Sequence, residues 1–207
     1  MRAIRKATLL NSKSGVDAFV PREIVIAYWL IPAEPAHSFF EGAINDLARR
    51  YDAPLFEPHV TIHVGANHIA AAEHALLKAA RECQSITVKA LEVDHSDEFI
   101  KTLFVKFALN TKLQQLNAIV RSAAEDSSDY KLNPHLSLLY KKIPPVVRSE
   151  LADSINVPFS EVTFNALQAV RCISPTQSRS DLEAWRAITR RSLGSCWTTT
   201  RHDSLAG

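Results

Sequence analysis

Two short segments combine an imidazole with a hydroxyl at a spacing that suits phosphate chemistry. Residues 58–62 (PHVTI) and 134–138 (PHLSL) both have the form proline, histidine, aliphatic, hydroxyl, aliphatic. Average residue usage predicts about 0.02 copies of this form in a chain with eight histidines, and two copies in roughly a few chains in ten thousand. The repeated motif is therefore the strongest functional signal in the sequence.

The spacing explains what the motif could do. On a strand, side chains alternate between faces, so His59 and Thr61 are predicted to point one way, and His135 and Ser137 repeat this arrangement. Two imidazoles can divide acid and base work, one activating water and the other protonating a leaving alkoxide. The hydroxyls can hold the non-bridging oxygens of a phosphate. The four side chains together predict a metal-free phosphodiester site.

At these residues the sequence resembles the two-histidine (2H) phosphoesterase superfamily, whose signature is two copies of H-x-[ST]-x. The sequence at residues 56–61 and 134–140 is most similar to that of the cyclic phosphodiesterase-like (LigT-like) branch. The resemblance covers about residues 24–190. It implies two pseudo-symmetric α+β lobes around a central cleft and no metal or other cofactor. It also implies hydrolysis of 2′,3′-cyclic nucleotides or ADP-ribose 1″,2″-cyclic phosphate.

The resemblance assigns roles to individual residues. It implies that His59 protonates the leaving oxygen, that His135 activates water, and that Thr61 and Ser137 bind phosphate. The order of the two histidine roles depends on the resemblance alone. Three aromatic residues are further candidates for contact with the substrate: Tyr140 just after the second motif, Trp185 in the predicted last helix, and Phe104 for base stacking.

His63 departs from the family pattern, in which an aliphatic residue is usual. On a regular strand it shares the face of His59 and Thr61, and we expect it to extend the cleft. On a helix, H-x-x-x-H could ligate a metal, but four strand residues span roughly 13 Å. The β-branched neighbours favour a strand, so no metal site is predicted.

The hydrophobic pattern predicts alternating strands and helices. Strands are expected at 24–31, 59–65, 85–94, 99–109, 135–140, 159–164 and 167–173, and helices at 35–51, 67–82, 111–125, 144–155 and 181–191. Several adjacent strands have hairpin-length links, so the sheets should be largely antiparallel and the class α+β, with helices on the outside. Residues 21–192 are interpreted as one bilobal domain, 1–20 as a basic N-terminal extension and 193–207 as a C-terminal tail.

Composition narrows the function further. The 207 residues are 46% hydrophobic and 22% charged, with a formal net charge of +2, which is typical of a globular protein and disfavours duplex nucleic acid as a partner. Five isolated glycines exclude a glycine-rich phosphate loop, and three scattered cysteines predict neither a disulfide framework nor a zinc knuckle. No apolar run is long enough to span a bilayer. We therefore expect a cytoplasmic monomer with no membrane partner.

These observations predict an enzyme that hydrolyses a ribose cyclic phosphodiester to a phosphomonoester, and its expected partner is a small nucleotide-type cyclic phosphate. Two alternatives stay open. One is an enzyme related to 2′-5′ RNA ligases that acts on RNA ends, for which a basic groove and a steep salt dependence are expected. The other is a non-catalytic module that binds a nucleotide or RNA without turning it over.

Overall fold

The computed structural model describes residues 21–126 and 128–194, so the predicted extension 1–20 and the tail beyond Gly194 lie outside the described residues. Strands lie at Glu23–Pro32 (β1), Val60–Ala66 (β2), Ile86–His95 (β3), Leu103–Phe107 (β4), His135–Leu139 (β5), Glu161–Ser174 (β6) and Arg186–Ser192 (β7). Helices lie at Ala36–Tyr51 (α1), Ile69–Glu82 (α2), Thr111–Ala123 (α3), Pro145–Ser154 (α4) and Arg179–Glu183 (α5), with a 3-10 turn at Phe99–Lys101.

The strands pair antiparallel in the order β1-β2-β5-β4-β3-β6-β7, and β1 also pairs with β6. Because of this additional pairing, six of the strands form a ring. The long strand β6 has three neighbours. Its first residues pair with β3, and the remainder pairs with β1 and β7. The α+β class with largely antiparallel sheets is confirmed.

The ring closes between the two histidine motifs. Val60 on β2 pairs with Leu136 on β5. In an antiparallel pair, the residues on either side of this position are also cross-strand neighbours, so His59 lies towards Ser137 and Thr61 towards His135. The antiparallel pairing therefore directs each histidine towards the hydroxyl residue of the other motif.

The two faces of β1 have different partners. Ile26, Tyr28 and Leu30 belong to the main core, which also contains the buried apolar sides of helices α1, α2 and α3. The intervening residues Ala27 and Trp29 form a smaller apolar cluster on the opposite face. This alternation leaves one face of the strand for the core beneath the helices and the other for a cavity.

Most predicted elements match the structure, but the C-terminal region differs in two ways. The segments 159–164 and 167–173 form one continuous strand, β6. The helix predicted at 181–191 is wrong, because α5 ends at Glu183 and the following residues form β7. A capping box at Ser178 and Asp181 starts α5, and pairing along β6 then overrides the weak helical periodicity of the next residues.

The predicted tail begins inside the described part of the chain. Leu193 is buried, and Gly194 forms a bridge with Gln84. Among the helices of residues 21–126 and 128–194, none is long and apolar enough to cross a membrane.

Candidate active site

A cavity of about 250 Å³ lies where the two histidine motifs meet. Both imidazoles and both hydroxyl side chains of the motifs line it. Its floor comes from the apolar face of β1 and β6, including Ala27, Trp29 and Cys172. The cavity therefore combines a few polar groups that could act on a phosphate with a mostly apolar wall, as small-molecule sites commonly do.

His59 is held firmly at this cavity. Its ring stacks on Trp29, with centroids 3.7 Å apart and an interplanar angle of 10°. Its Nδ1–H donates to the Glu57 carbonyl at 2.6 Å, which leaves Nε2 as the nitrogen available for proton transfer. Burial lowers the pKa of His59 to about 4, and the nearby charge of His135 acts in the same direction. His59 is therefore a neutral imidazole at pH 7.

His135 repeats this local geometry. Its Nδ1–H donates to the carbonyl of Asn133, again two residues earlier, at 2.7 Å. Burial lowers the pKa of His135, and Lys101 lowers it further, whereas the hydrogen bond to Asn133 and the charge of Glu98 raise it. Both histidines therefore have the same ring nitrogen available for proton transfer.

The two hydroxyl residues of the motifs are anchored differently. Ser137 Oγ donates to the Ile100 carbonyl at 2.9 Å, which ties the second motif to the 3-10 turn. Thr61 lines the cavity, and its backbone carbonyl accepts a hydrogen bond from the Tyr130 hydroxyl at 3.1 Å. Because each strand places its hydroxyl two residues after its histidine, all four side chains converge on the same space.

Two of the three predicted aromatic residues also line the cavity. Tyr140 is buried and stacks on Phe56, with centroids 3.8 Å apart. Burial raises the pKa of Tyr140, so its phenol stays protonated. The Trp185 ring packs edge-on against the Trp29 ring, with the two ring centroids 5.2 Å apart. Trp185 follows α5 and does not lie in a helix. The buried Trp185 Nε1 has no hydrogen-bond partner within residues 21–126 and 128–194.

Phe104 does not lie where base stacking would need it. Its side chain is only 3% exposed and is not among the residues lining the cavity. The ring packs edge-on against the His135 ring, with the two ring centroids 5.5 Å apart. The ammonium of Lys101 lies 4.7 Å from the centroid of the Phe104 ring. The structure therefore places Phe104 against Lys101 and His135 and outside the cavity lining.

The prediction that His63 extends the cleft is wrong. Tyr28 pairs with His63 and Trp29 pairs with Thr61, so Ile62 is an extra residue in β2. This β-bulge interrupts the alternation of faces and turns His63 into the interior, where it is 0% exposed. Its Nε2–H donates to the carboxylate of Asp126 at 2.7 Å.

Sequence reasoning missed several residues of the cavity. Trp29, which covers the His59 ring, gave no signal because it lies in a continuous apolar strand. Tyr130 and Cys172 line the cavity from distant parts of the chain. Within residues 21–126 and 128–194, no group of three or more potential metal ligands was found among histidine, cysteine and acidic side chains.

Comparison with known proteins agrees with this geometry. A family model described as cyclic phosphodiesterase-like protein matches residues 24–196. A cyclic phosphodiesterase of Arabidopsis thaliana is 22% identical over 170 residues, which cover 79% of this chain and 92% of the relative.

Solved structures show the same fold. The apo form of E. coli LigT has a TM-score of 0.53 at 16% identity and covers 83% of this chain and 98% of its own. A Thermus thermophilus protein has a TM-score of 0.52 at 14% identity, with the same coverage of both chains. The family match over most of the chain, together with the two motifs in one cavity, shows that the protein belongs to the cyclic phosphodiesterase-like family of 2H phosphoesterases and is an enzyme of the cyclic phosphodiesterase class.

Proposed function

We propose that this protein hydrolyses a ribose cyclic phosphodiester to a phosphomonoester without a metal, using His59 and His135 as acid and base. The observation that carries the proposal is the convergence of two imidazoles in one cavity, each with Nδ1 held by a backbone carbonyl and Nε2 left for chemistry. The pairing of Val60 with Leu136 brings the two motifs together.

The reaction needs one proton removed and one proton added. One histidine takes a proton from water as the water oxygen attacks phosphorus. The bond from phosphorus to a ribose oxygen breaks, and the other histidine protonates that oxygen. Thr61 and Ser137 bind the non-bridging oxygens, on which negative charge increases in the transition state.

We assign the acid role to His59 and the base role to His135. A neutral His135 is ready to accept a proton from water, since burial lowers its pKa. His59 must gain its proton as the anionic diester binds, because a nearby negative charge favours the imidazolium. Once protonated, an imidazole whose pKa burial lowers to about 4 is a strong proton donor.

A small nucleotide-type substrate is favoured over an RNA chain. One of the similar solved structures is E. coli LigT complexed with 3′-AMP, with a TM-score of 0.50 at 16% identity. A wider groove continues from the cavity across Val64 and Tyr130. Its described lining includes Glu23, Asp126 and Asp129 but no lysine or arginine, so it would repel a phosphodiester backbone.

The test is turnover of 2′,3′-cyclic AMP and ADP-ribose 1″,2″-cyclic phosphate, followed by phosphorus NMR in excess chelator. His59→Ala and His135→Ala should each reduce kcat/KM by about 10³-fold, whereas the matched control His74→Ala, at an exposed position on α2, should not. The position of the phosphate in the product identifies the bond that breaks.

Each alternative gives a different result in this assay. Loss of turnover on adding chelator would contradict a metal-free reaction. Turnover of RNA 2′,3′-cyclic ends but of neither small substrate would favour RNA processing. Binding of all these ligands without turnover would favour the non-catalytic module.

A further inference from the structure

The proposed reaction increases negative charge at the phosphate. A cyclic diester carries one negative charge, whereas a phosphomonoester, with a second pKa of about 6, carries nearly two at neutral pH. A site without a metal benefits from a fixed positive charge nearby. Among the described residues that line the cavity, however, there is no lysine or arginine.

The 3-10 turn Phe99–Lys101 forms one wall of the cavity. Ile100 lines the cavity, and its carbonyl accepts the hydrogen bond from Ser137. Thr102 holds the turn by donating to the carbonyl of Glu98, and Ser96 donates to the carbonyl of Lys101. The backbone next to Lys101 is therefore tied directly to the second motif.

The side chain of Lys101 is directed by an aromatic ring. Its ammonium lies 4.7 Å from the centroid of Phe104, within the range of a cation–π interaction. The same ring packs edge-on against the His135 ring, with the two ring centroids 5.5 Å apart. The ring of Phe104 therefore contacts both the ammonium of Lys101 and the imidazole of His135.

Titratable groups lie around His135 in three directions. Glu98 immediately precedes the 3-10 turn and Lys101 ends it, and His59, which is neutral at pH 7, lines the same cavity. Lys106 lies directly opposite His135 on β4. Its ammonium, however, is bound to two carboxylates, with Glu92 at 2.9 Å and Asp94 at 2.5 Å. Lys101 is therefore the lysine near His135 whose charge is held by an aromatic ring rather than by carboxylates.

We infer that Lys101, held over Phe104, is a positioning residue that supplies the positive charge for the two-histidine reaction. It attracts the anionic diester, and its field adds to the effect of burial, which keeps His135 neutral and ready to accept a proton. This inference rests on the proposed function. It also gives Phe104 a role different from base stacking, which is to hold the ammonium of Lys101.

The first test does not depend on turnover. The imidazole of His135 is titrated by NMR in the wild type and in Lys101→Met, Lys101→Arg and Glu98→Gln. Lys101→Met should raise the pKa of His135, because a repelling charge is removed, and Glu98→Gln should lower it. Lys101→Arg should leave this pKa close to that of the wild type. Lys106→Met is the matched control, with an expected effect clearly smaller than that of Lys101→Met.

Inorganic phosphate is the binding probe in the same experiment. Lys101→Met should weaken phosphate binding by about tenfold and reduce its salt dependence, whereas Lys106→Met should change neither much. Circular dichroism and thermal unfolding of each variant show whether it is folded. An unchanged pKa of His135 together with unchanged phosphate binding in folded Lys101→Met would overturn the inference.

Turnover then separates this inference from the proposed function. In an active wild type, Lys101→Met should lower kcat/KM by about tenfold and move the pH limb that belongs to His135 to higher pH. Lys101→Arg should restore both. If the wild type is inactive with every substrate, the proposed function fails, and the NMR and phosphate results still decide the role of Lys101. If the histidine variants are inactive and Lys101→Met is unaffected, only the present inference fails.

Discussion

His59 is 6% exposed and stacks on Trp29, whereas His135 is half-buried beside a turn that carries Lys101 and Glu98. The two histidines have the same motif and the same Nδ1 hydrogen bond to a carbonyl two residues earlier. Their surroundings nevertheless differ in the charges that act on them. Burial has the largest effect on both pKa values, but charges of both signs, from Lys101 and Glu98, act on His135 as well.

A duplicated motif therefore need not provide two equivalent groups. The local strand geometry provides the same reactive nitrogen in both halves, but its readiness to accept or donate a proton depends on what packs around it. The following predictions test that asymmetry, and they begin with the largest expected effect.

The acid and base roles should separate with a substrate whose leaving ribose oxygen is replaced by sulfur. A thiolate leaves without being protonated, so the acid is no longer needed. His59→Ala should lose about 10³-fold in kcat/KM on the oxygen substrate but only about tenfold on the sulfur substrate. His135→Ala should be impaired on both. Single-turnover rates measure this, and rescue of His135→Ala instead would reverse the assignment.

The burial of His59 should make the fold less stable in acid. Its pKa is about 4 in the folded protein and about 6.5 when unfolded. Between these values the unfolded chain takes up a proton that the folded protein does not, so stability present above pH 6.5 is lost as the pH falls towards 4. From the difference between the two pKa values of His59, the free energy of unfolding should fall by about 3 kcal/mol over this pH range.

Urea unfolding at a series of pH values measures this dependence, with His59→Gln as the comparison. The variant should show a clearly shallower loss of stability over the same pH range. A slope equal to that of the wild type would mean that other groups, such as His63, cause the acid sensitivity.

The two hydroxyls should differ in importance. Ser137 Oγ donates to the Ile100 carbonyl and must give up that bond to donate to phosphate. We therefore expect Thr61→Val to lower kcat/KM by about 100-fold and Ser137→Ala by only about tenfold. Steady-state kinetics with melting curves for both variants measure this. An equal or larger loss in Ser137→Ala would contradict the asymmetry.

The smallest expected effect concerns the hydrogen bond between His63 and Asp126, close to the first motif. Asp126 accepts a hydrogen bond from the buried His63, and Ser128 donates to the Val64 carbonyl on the same strand. Asp126→Asn should lower the free energy of unfolding by about 1–2 kcal/mol, because a buried charge-assisted bond is weakened. The exposed pair of Asp46 with Arg49 provides the control, since Asp46→Asn should cost less than about 0.5 kcal/mol. Equal losses in urea unfolding would contradict this.

Much of the fold could be predicted from local patterns. The helices α1, α2 and α3 follow apolar residues at three- and four-residue steps, and β1 follows a continuous apolar run. The last helix was mispredicted because Leu182, Trp185 and Ile188 also have helical spacing. Whether such a segment is a helix or a strand depends on the pairing available to it, and here β6 offers a free edge.

The candidate site divides in the same way. His59, Thr61, His135 and Ser137 could be found because chemistry requires their types at a two-residue spacing, and a short strand places such residues on one face. The bulge at Ile62 could not be found, because no residue type marks it. For this reason His63 was expected in the cleft, although it lies in the interior.

Residue types and their alternation are local properties of the chain, and they were enough to identify the two motifs, the strands that carry them and the acid and base chemistry available to them. Three features could be seen only in the folded protein: β2 and β5 pair with each other, Trp29 covers one imidazole, and Phe104 contacts both the other imidazole and Lys101. These features depend on contacts between residues far apart in the chain, and burial and charge at those contacts determine how each histidine binds its proton.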